Sequence, residues 1–122
     1  MAGKILIIDD ERSVANFLTE LFEIRGYDPV VFYDSKLAMQ AFEQDPDSFD
    51  LVVTDQTMPA VTGAELSMKI LSIRPGLPII LCTGYSEAVN EEIALGLGVR
   101  HYINKPIDID DLLEKVDSLV SQ

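Results

Sequence analysis

Cysteine, basic charge and long apolar runs are all scarce in this chain of 122 residues. The single cysteine, Cys82, cannot close an internal disulfide. It lies in an apolar run, which favours a buried, inert thiol, and a reducing compartment is its simplest home. Lys and Arg number 9 against 21 Asp and Glu, a net charge of -12. A chain without a basic footprint is poorly made for direct nucleic-acid binding, and its acidity also disfavours docking on anionic membranes. No apolar stretch approaches membrane-spanning length, and Met1-Ala2-Gly3-Lys4 carries no signal-peptide pattern. Internal repeats, low-complexity tracts and linkers are missing as well. The expectation is a soluble, cytoplasmic, single domain over residues 1–122 with no effector domain attached.

What the chain does have is ordinary globular composition, 48% hydrophobic and 25% charged, at a size able to bury its own core. Short β-branched runs alternate five times with helix-like stripes. The first strand reads as Lys4 to Ile8, followed by a helix with Val14, Phe17, Leu18, Leu21 and Phe22 stepping by three and four along its inner face. Gly26 suits its C-terminus. A second strand covers Pro29 to Tyr33, and a helix with Ala38, Ala41 and Phe42 inward stops near Asp45-Pro46, because proline disfavours helix in its predecessor. The third strand is Leu51 to Thr54. A loop with Met58-Pro59 leads to a helix opened by Gly63 and carrying Leu66, Ile70 and Leu71 inward. Pro75-Gly76 breaks that helix, and Pro78 to Cys82 forms the fourth strand. The next helix, Glu87 to about Leu97, is the weakest, with only Val89, Ile93 and Leu97 in its stripe and Gly96 and Gly98 loosening its end. The fifth strand is Arg100 to Asn104. The last helix is capped by Asp108, with Asp111 three residues on and Leu112, Leu113, Val116, Leu119 and Val120 inward. This order implies an α/β fold with a parallel sheet covered on both faces.

In such a sheet the carboxyl ends of the strands share one edge, where ligands bind. Four pieces of sequence reach that edge: Asp9-Asp10, Asp55, Thr83 and Lys105-Pro106. The acidic pair reads either as a turn with a helix N-cap or as an oxygen site for Mg²⁺, which takes few protein carboxylates and keeps several waters. Asp55 alone would be a turn residue. Beside a metal-binding pair it becomes a carboxylate able to attack phosphorus, and Thr57 offers a backbone carbonyl to the same metal. Thr83 is a turn hydroxyl by default, or a donor to a phosphoryl oxygen. Lys105 is a solvated lysine by default. It precedes Pro106, however, and X-Pro is the one context where a cis bond is cheap. Each signal is weak alone; in order and all at strand ends, they reinforce one another. His101, the only histidine, reads as a partly buried strand residue, and Gly96-Leu97-Gly98 lacks the preceding strand a dinucleotide fingerprint needs.

The run from Ile5-Leu6-Ile7-Ile8-Asp9-Asp10-Glu11 through Thr54-Asp55-Gln56-Thr57-Met58-Pro59 to Asn104-Lys105-Pro106 resembles the response-regulator receiver domain, the CheY-like family of two-component signalling. The resemblance covers the whole chain. It implies a doubly wound, flavodoxin-like sheet of order 2-1-3-4-5 with five helices, for which CheY is a standard example. It implies that Asp55 is the phosphoacceptor, with Mg²⁺ held directly by Asp10 and through water by Asp9. Thr83 and Lys105 match the family's hydroxyl and lysine on the phosphoryl oxygens, Tyr102 matches its switch aromatic, and the small Gly84 suits phosphate access. Thr57 and Tyr85 occupy positions that vary in the family and flank the path of the hydrolytic water. The implied partner is a histidine kinase or a histidine phosphotransfer domain, with helix four, strand five and helix five as the phosphorylation-sensitive face for a partner or a second copy. The protein would catalyse only its own phosphorylation and dephosphorylation. It would be either a stand-alone regulator or a domain cut from a hybrid sensor kinase, to whose receivers Leu77 to Glu87 is similar.

Competing readings fare worse. Haloacid-dehalogenase-type enzymes want a second aspartate two after the nucleophile, where Thr57 stands. A flavodoxin-like electron carrier needs a phosphate-cradling loop after strand one, and Asp9-Asp10-Glu11 would repel that phosphate. A purely structural domain has no use for this set of residues.

Overall fold

A computed structural model describes residues 3–84 and 91–120. The elements run β1 (Lys4–Ile8), α1 (Arg12–Ile24), β2 (Asp28–Phe32), α2 (Ser35–Gln44), β3 (Leu51–Asp55), α3 (Gly63–Ile73), β4 (Ile79–Thr83), α4 (Glu91–Gly96), β5 (His101–Asn104) and α5 (Ile109–Val120), with a short 3-10 turn at Pro46–Ser48. All strand pairings are parallel and the sheet order is β2-β1-β3-β4-β5, the α/β order implied by the resemblance.

Alternation along each strand divides the core in two. Ile5 and Ile7 of β1 face one side with Leu18, Phe22, Leu112 and Val116, the inner faces of α1 and α5. Leu6 and Ile8 face the other with Phe42, Leu66, Ile70 and Ala94, from α2, α3 and α4. Residues of β3 and β4 are buried throughout, whereas β2 is at best half-buried and β5 mixed. Central strands of a parallel sheet are covered on both faces and read as continuous apolar runs, and both edges show the weaker pattern.

Local signals placed the helices. Gly26 has a positive φ of 88°, the conformation a helix C-terminus asks of glycine. The Asp34 carboxylate accepts from the Lys36 and Leu37 amides and starts α2. Thr62 and Glu65 form a reciprocal capping box at α3, a T-x-x-E signal visible in the sequence. Asp108 accepts from the Asp111 amide at 3.1 Å, so the expected cap of α5 is present.

Some expectations shift. β2 begins at Asp28 and ends at Phe32, while Asp55 and Thr83 are the last residues of β3 and β4 rather than their successors. Phe17, expected inside, is 47% exposed, and Ala15 takes the buried position in its place. In α4, Ile93 is half exposed and Ala94 faces the core. The helical stripe was read from large side chains only, so the small residues that allow close packing were passed over. Val89, Tyr85 and the expected start of the fourth helix at Glu87 lie outside the described residues.

Candidate functional site: an acidic cluster at the strand ends

At the carboxyl edge, β1 hands directly to Asp9 and Asp10, β3 ends on Asp55 and β4 on Thr83. Lys105 follows β5, and its amide donates to the Thr83 carbonyl at 2.7 Å. The Lys105–Pro106 peptide bond is cis.

Carboxylate oxygens of Asp9, Asp10 and Asp55 lie within 4.8 Å of one another. Asp9 and Asp55 are buried, at 3% and 4% exposure, and Asp10 is exposed. The Lys105 ammonium is 2.8 Å from Asp55, 3.6 Å from Asp9 and 3.7 Å from Glu11. Burial alone would lower the Lys105 pKa, but the hydrogen bond to Asp55 and the charges of Asp9, Asp55 and Glu11 raise it well above the ordinary lysine value. Burial pushes the Asp9 carboxyl up to about 6, against the Glu11 amide that it accepts at 2.9 Å; the Asp55 charge adds to the rise and Lys105 opposes it. That amide bond at the start of α1 gives Asp9 a structural role beside the cluster.

An all-oxygen donor set from a few carboxylates, partly open to solvent, fits a hard divalent cation such as Mg²⁺. The Thr83 hydroxyl is fully buried with no hydrogen-bond partner among the described residues. It follows Cys82, the register partner of Asp55. A buried orphan hydroxyl is costly, and here it belongs to the strand next to the acid. Tyr102 is half-buried on β5, in register with Leu81 and packed against the core on the α3–α4 side. Thr57 is exposed in the loop after β3, Met58 is buried beneath it, and His101 is half-buried at the start of β5. Cys82 is fully enclosed, and burial pushes its thiol up to about 12, so it is inert.

Two features of the site had not been read from the sequence. Gln56, buried beside Asp55, accepts from the Ala64 amide through its side chain at 2.8 Å. Glu11 joins the carboxylates around Lys105. Neither has a sequence signal of its own, although Glu11 stands next to the acidic pair.

A five-stranded parallel sheet with acids, a hydroxyl and a lysine at its carboxyl edge defines a phosphoacceptor class of α/β domain. The family model of the response regulator receiver domain matches residues 5–117, and the chain belongs to that family. It is 29% identical over 118 residues to the transcriptional regulatory protein CpxR of Escherichia coli strain K12, covering 97% of this chain and 49% of that protein. With the response regulator ArlR of Staphylococcus saprophyticus it shares 31% identity over 117 residues, covering 96% and 52%. The chain thus spans about half the length of these curated relatives. Among solved structures, a response regulator receiver domain protein from Clostridium thermocellum superposes with a TM-score of 0.92 at 29% identity, covering 98% of this chain and 94% of that one. A CheY-like receiver domain protein from Methanospirillum hungatei gives 0.88 at 30% identity, covering 99% and 95%. Two-component signalling by phosphorylation, with Mg²⁺ binding, is the general role of this family.

Proposed function

We propose that Asp55 takes a phosphoryl group from a phosphohistidine on a histidine kinase or phosphotransfer protein, in a Mg²⁺-dependent reaction, and that the domain then changes its surface to signal. The observation that carries this reading is the Asp55 carboxylate itself, buried at a strand end, 2.8 Å from Lys105 and within the cluster of acids. An Asp55 oxygen attacks phosphorus while the nitrogen–phosphorus bond breaks, and the imidazole leaves with the bonding pair and picks up a solvent proton. Lys105 follows the transferring oxygens with its ammonium, and the Thr83 hydroxyl donates to one of them. When bound to Asp9, Asp10, Asp55 and the Thr57 carbonyl, Mg²⁺ supplies positive charge that screens the carboxylates from the incoming phosphoryl group. An apolar groove of about 370 Å³ lined by Val14, Phe17, Pro106, Ile107 and Ile109 runs beside Lys105 and supports the docking of a phosphoryl-delivering partner there. The protein is the substrate of this chemistry, turns over no other compound, and works in the cytoplasm with the kinase.

Incubation with acetyl phosphate and Mg²⁺ is expected to add one acid-stable, base-labile phosphoryl group by intact mass, and none to Asp55→Asn. Equal labelling of the two would remove Asp55 as the acceptor.

Movement of Thr83 toward the new charge leaves space that Tyr102, on the neighbouring strand, is placed to fill. Hydrogen exchange with a beryllofluoride mimic is then expected to change over α4, β5 and α5, the face offered to a partner or a second copy. Changes confined to α1 and α2 would refute that route.

A further inference from the structure

The loop of residues 57–62 leaves β3 at Asp55-Gln56 and returns at the first turn of α3, and Gln56 ties its two ends together through both backbone and side chain. The Gln56 amide donates to the Cys82 carbonyl at 2.9 Å, extending the β3–β4 ladder one residue past Asp55. Its carbonyl accepts from the Gly63 amide at 3.0 Å, and its side-chain Oε1 accepts from the Ala64 amide at 2.8 Å. Gln56 is thus bonded to β4 on one side and twice to α3 on the other. The helix start comes in so close that a Cβ on Gly63 would lie 2.3 Å from the Asp55 carbonyl oxygen and 2.7 Å from Leu81 Cδ1. That same carbonyl takes the Thr54 hydroxyl at 3.1 Å. Elsewhere the loop is held by a longer contact, the Ser35 hydroxyl to the Pro59 carbonyl at 3.3 Å.

We infer that Gln56 is a positioning residue for the phosphoacceptor: by clamping α3 to the end of β3 it fixes the Asp55 carboxylate and the Thr57 carbonyl relative to Asp9 and Asp10. The inference rests on the receiver reading above and deepens it. A buried amide left without its acceptor draws water or moves; either response opens the turn between Asp55 and Thr57. Displacements of about 1 Å at a reacting group cost on the order of a hundredfold in rate, and loss of an orienting partner weakens a metal site by about ten- to a hundredfold.

The test uses Gln56→Met, which keeps length without a comparable acceptor, beside Arg74→Met as a control for plain destabilisation. Arg74 binds the Pro46 and Phe49 carbonyls at the opposite edge of the sheet and touches nothing in the site. Three readouts apply: Mg²⁺ affinity by calorimetry, the initial rate of acetyl-phosphate labelling at saturating Mg²⁺, and exchange of the Ala64 amide by NMR. Gln56→Met is expected to speed Ala64 exchange, weaken Mg²⁺ binding about tenfold and slow labelling on a similar scale. Arg74→Met is expected to lose melting temperature with Mg²⁺ affinity and labelling at wild-type values. Wild-type Mg²⁺ affinity and labelling in Gln56→Met overturn the inference, as do losses in both variants that track melting temperature. Gln56→Asn, which keeps the amide but draws its oxygen back by one methylene, carries the same test where the Met variant does not fold. Failure of the wild type itself to take label at Asp55 would instead remove the receiver reading.

Discussion

At the amino edge of the sheet Asp117 of α5 accepts from both Arg25 and Tyr27, Asp50 accepts from the Lys4 amide at 2.8 Å, and Arg74 reaches two backbone carbonyls. At the carboxyl edge Asp9, Asp10, Asp55 and Glu11 crowd one ammonium, Lys105, and the Thr83 hydroxyl is buried without a partner among the described residues. The same sheet and the same helices therefore end in a satisfied polar rim on one side and a frustrated one on the other. Titration follows the difference. Hydrogen bonds from Tyr27 and Arg25 hold the Asp117 carboxyl below its usual range, whereas burial holds Asp9 above it. Stability is gathered at the amino edge and given up at the carboxyl edge, which is the pattern of a site shaped for a ligand.

The sharpest way to break that contrast is pH. An acid whose pKa is higher folded than unfolded binds its proton more tightly in the native state. The contribution of Asp9 is then full below its unfolded value of 3.8 and lost as pH rises through about 6. Without Mg²⁺, the stability of wild type relative to Asp9→Asn is expected to fall by on the order of 2 kcal/mol across this window. Denaturant titrations of both proteins at several pH values check it. A difference that stays flat, or rises with pH, would place Asp9 in a satisfied environment like that of Asp117.

A smaller effect is expected at the other edge. Asp117→Ala removes the acceptor of the Tyr27 hydroxyl and of Arg25, and should destabilise by about 1 kcal/mol, since the exposed ion pair adds little beyond the hydrogen bond. Acetyl-phosphate labelling should be unchanged. A labelling defect in this variant would mean that the two edges are coupled.

The contrast in strategy was legible in the sequence only in part. Continuous apolar runs at Ile5–Ile8, Leu51–Val53 and Ile79–Cys82 announce central strands, and acids, a hydroxyl and a lysine at their ends are chemically conspicuous. Their common edge follows from parallel topology. The strand order does not; it came from resemblance and is now seen in the register. Phe17 and Ile93 were assigned inward because a stripe of large residues looks wider than the surface a helix actually buries, and Ala15 and Ala94 were invisible for their size. The amino-edge triad of Arg25, Tyr27 and Asp117 could not be read at all, because its members are distant in sequence and each is an ordinary surface residue alone. Gln56 escaped for a related reason: an amide acceptor is recognisable only once the amide it meets is in place.

The least effect is expected within the loop that Gln56 closes. Ala60 has a φ of 71°, and the Val61 amide donates to the Pro59 carbonyl at 2.8 Å across it, a tight γ-turn that a side chain resists. Ala60→Gly relieves that strain, partly offset by the greater freedom glycine gives the unfolded chain, for a net gain of up to about 1 kcal/mol. A loss of stability in chemical denaturation would show that Ala60 earns its conformation through contacts instead.

The central position of β1 also orders events in time. Asp9 and Asp10 leave the ribosome before Asp55 and Lys105; β3 must fold back beside β1 before Asp55 joins them, and Lys105 comes only with β5 at the far edge. A nascent chain that has made the first three strands already bears the repulsion of three carboxylates without its ammonium. The last strand thus delivers the balancing charge, and the acidic edge is complete only once β5 has joined the sheet.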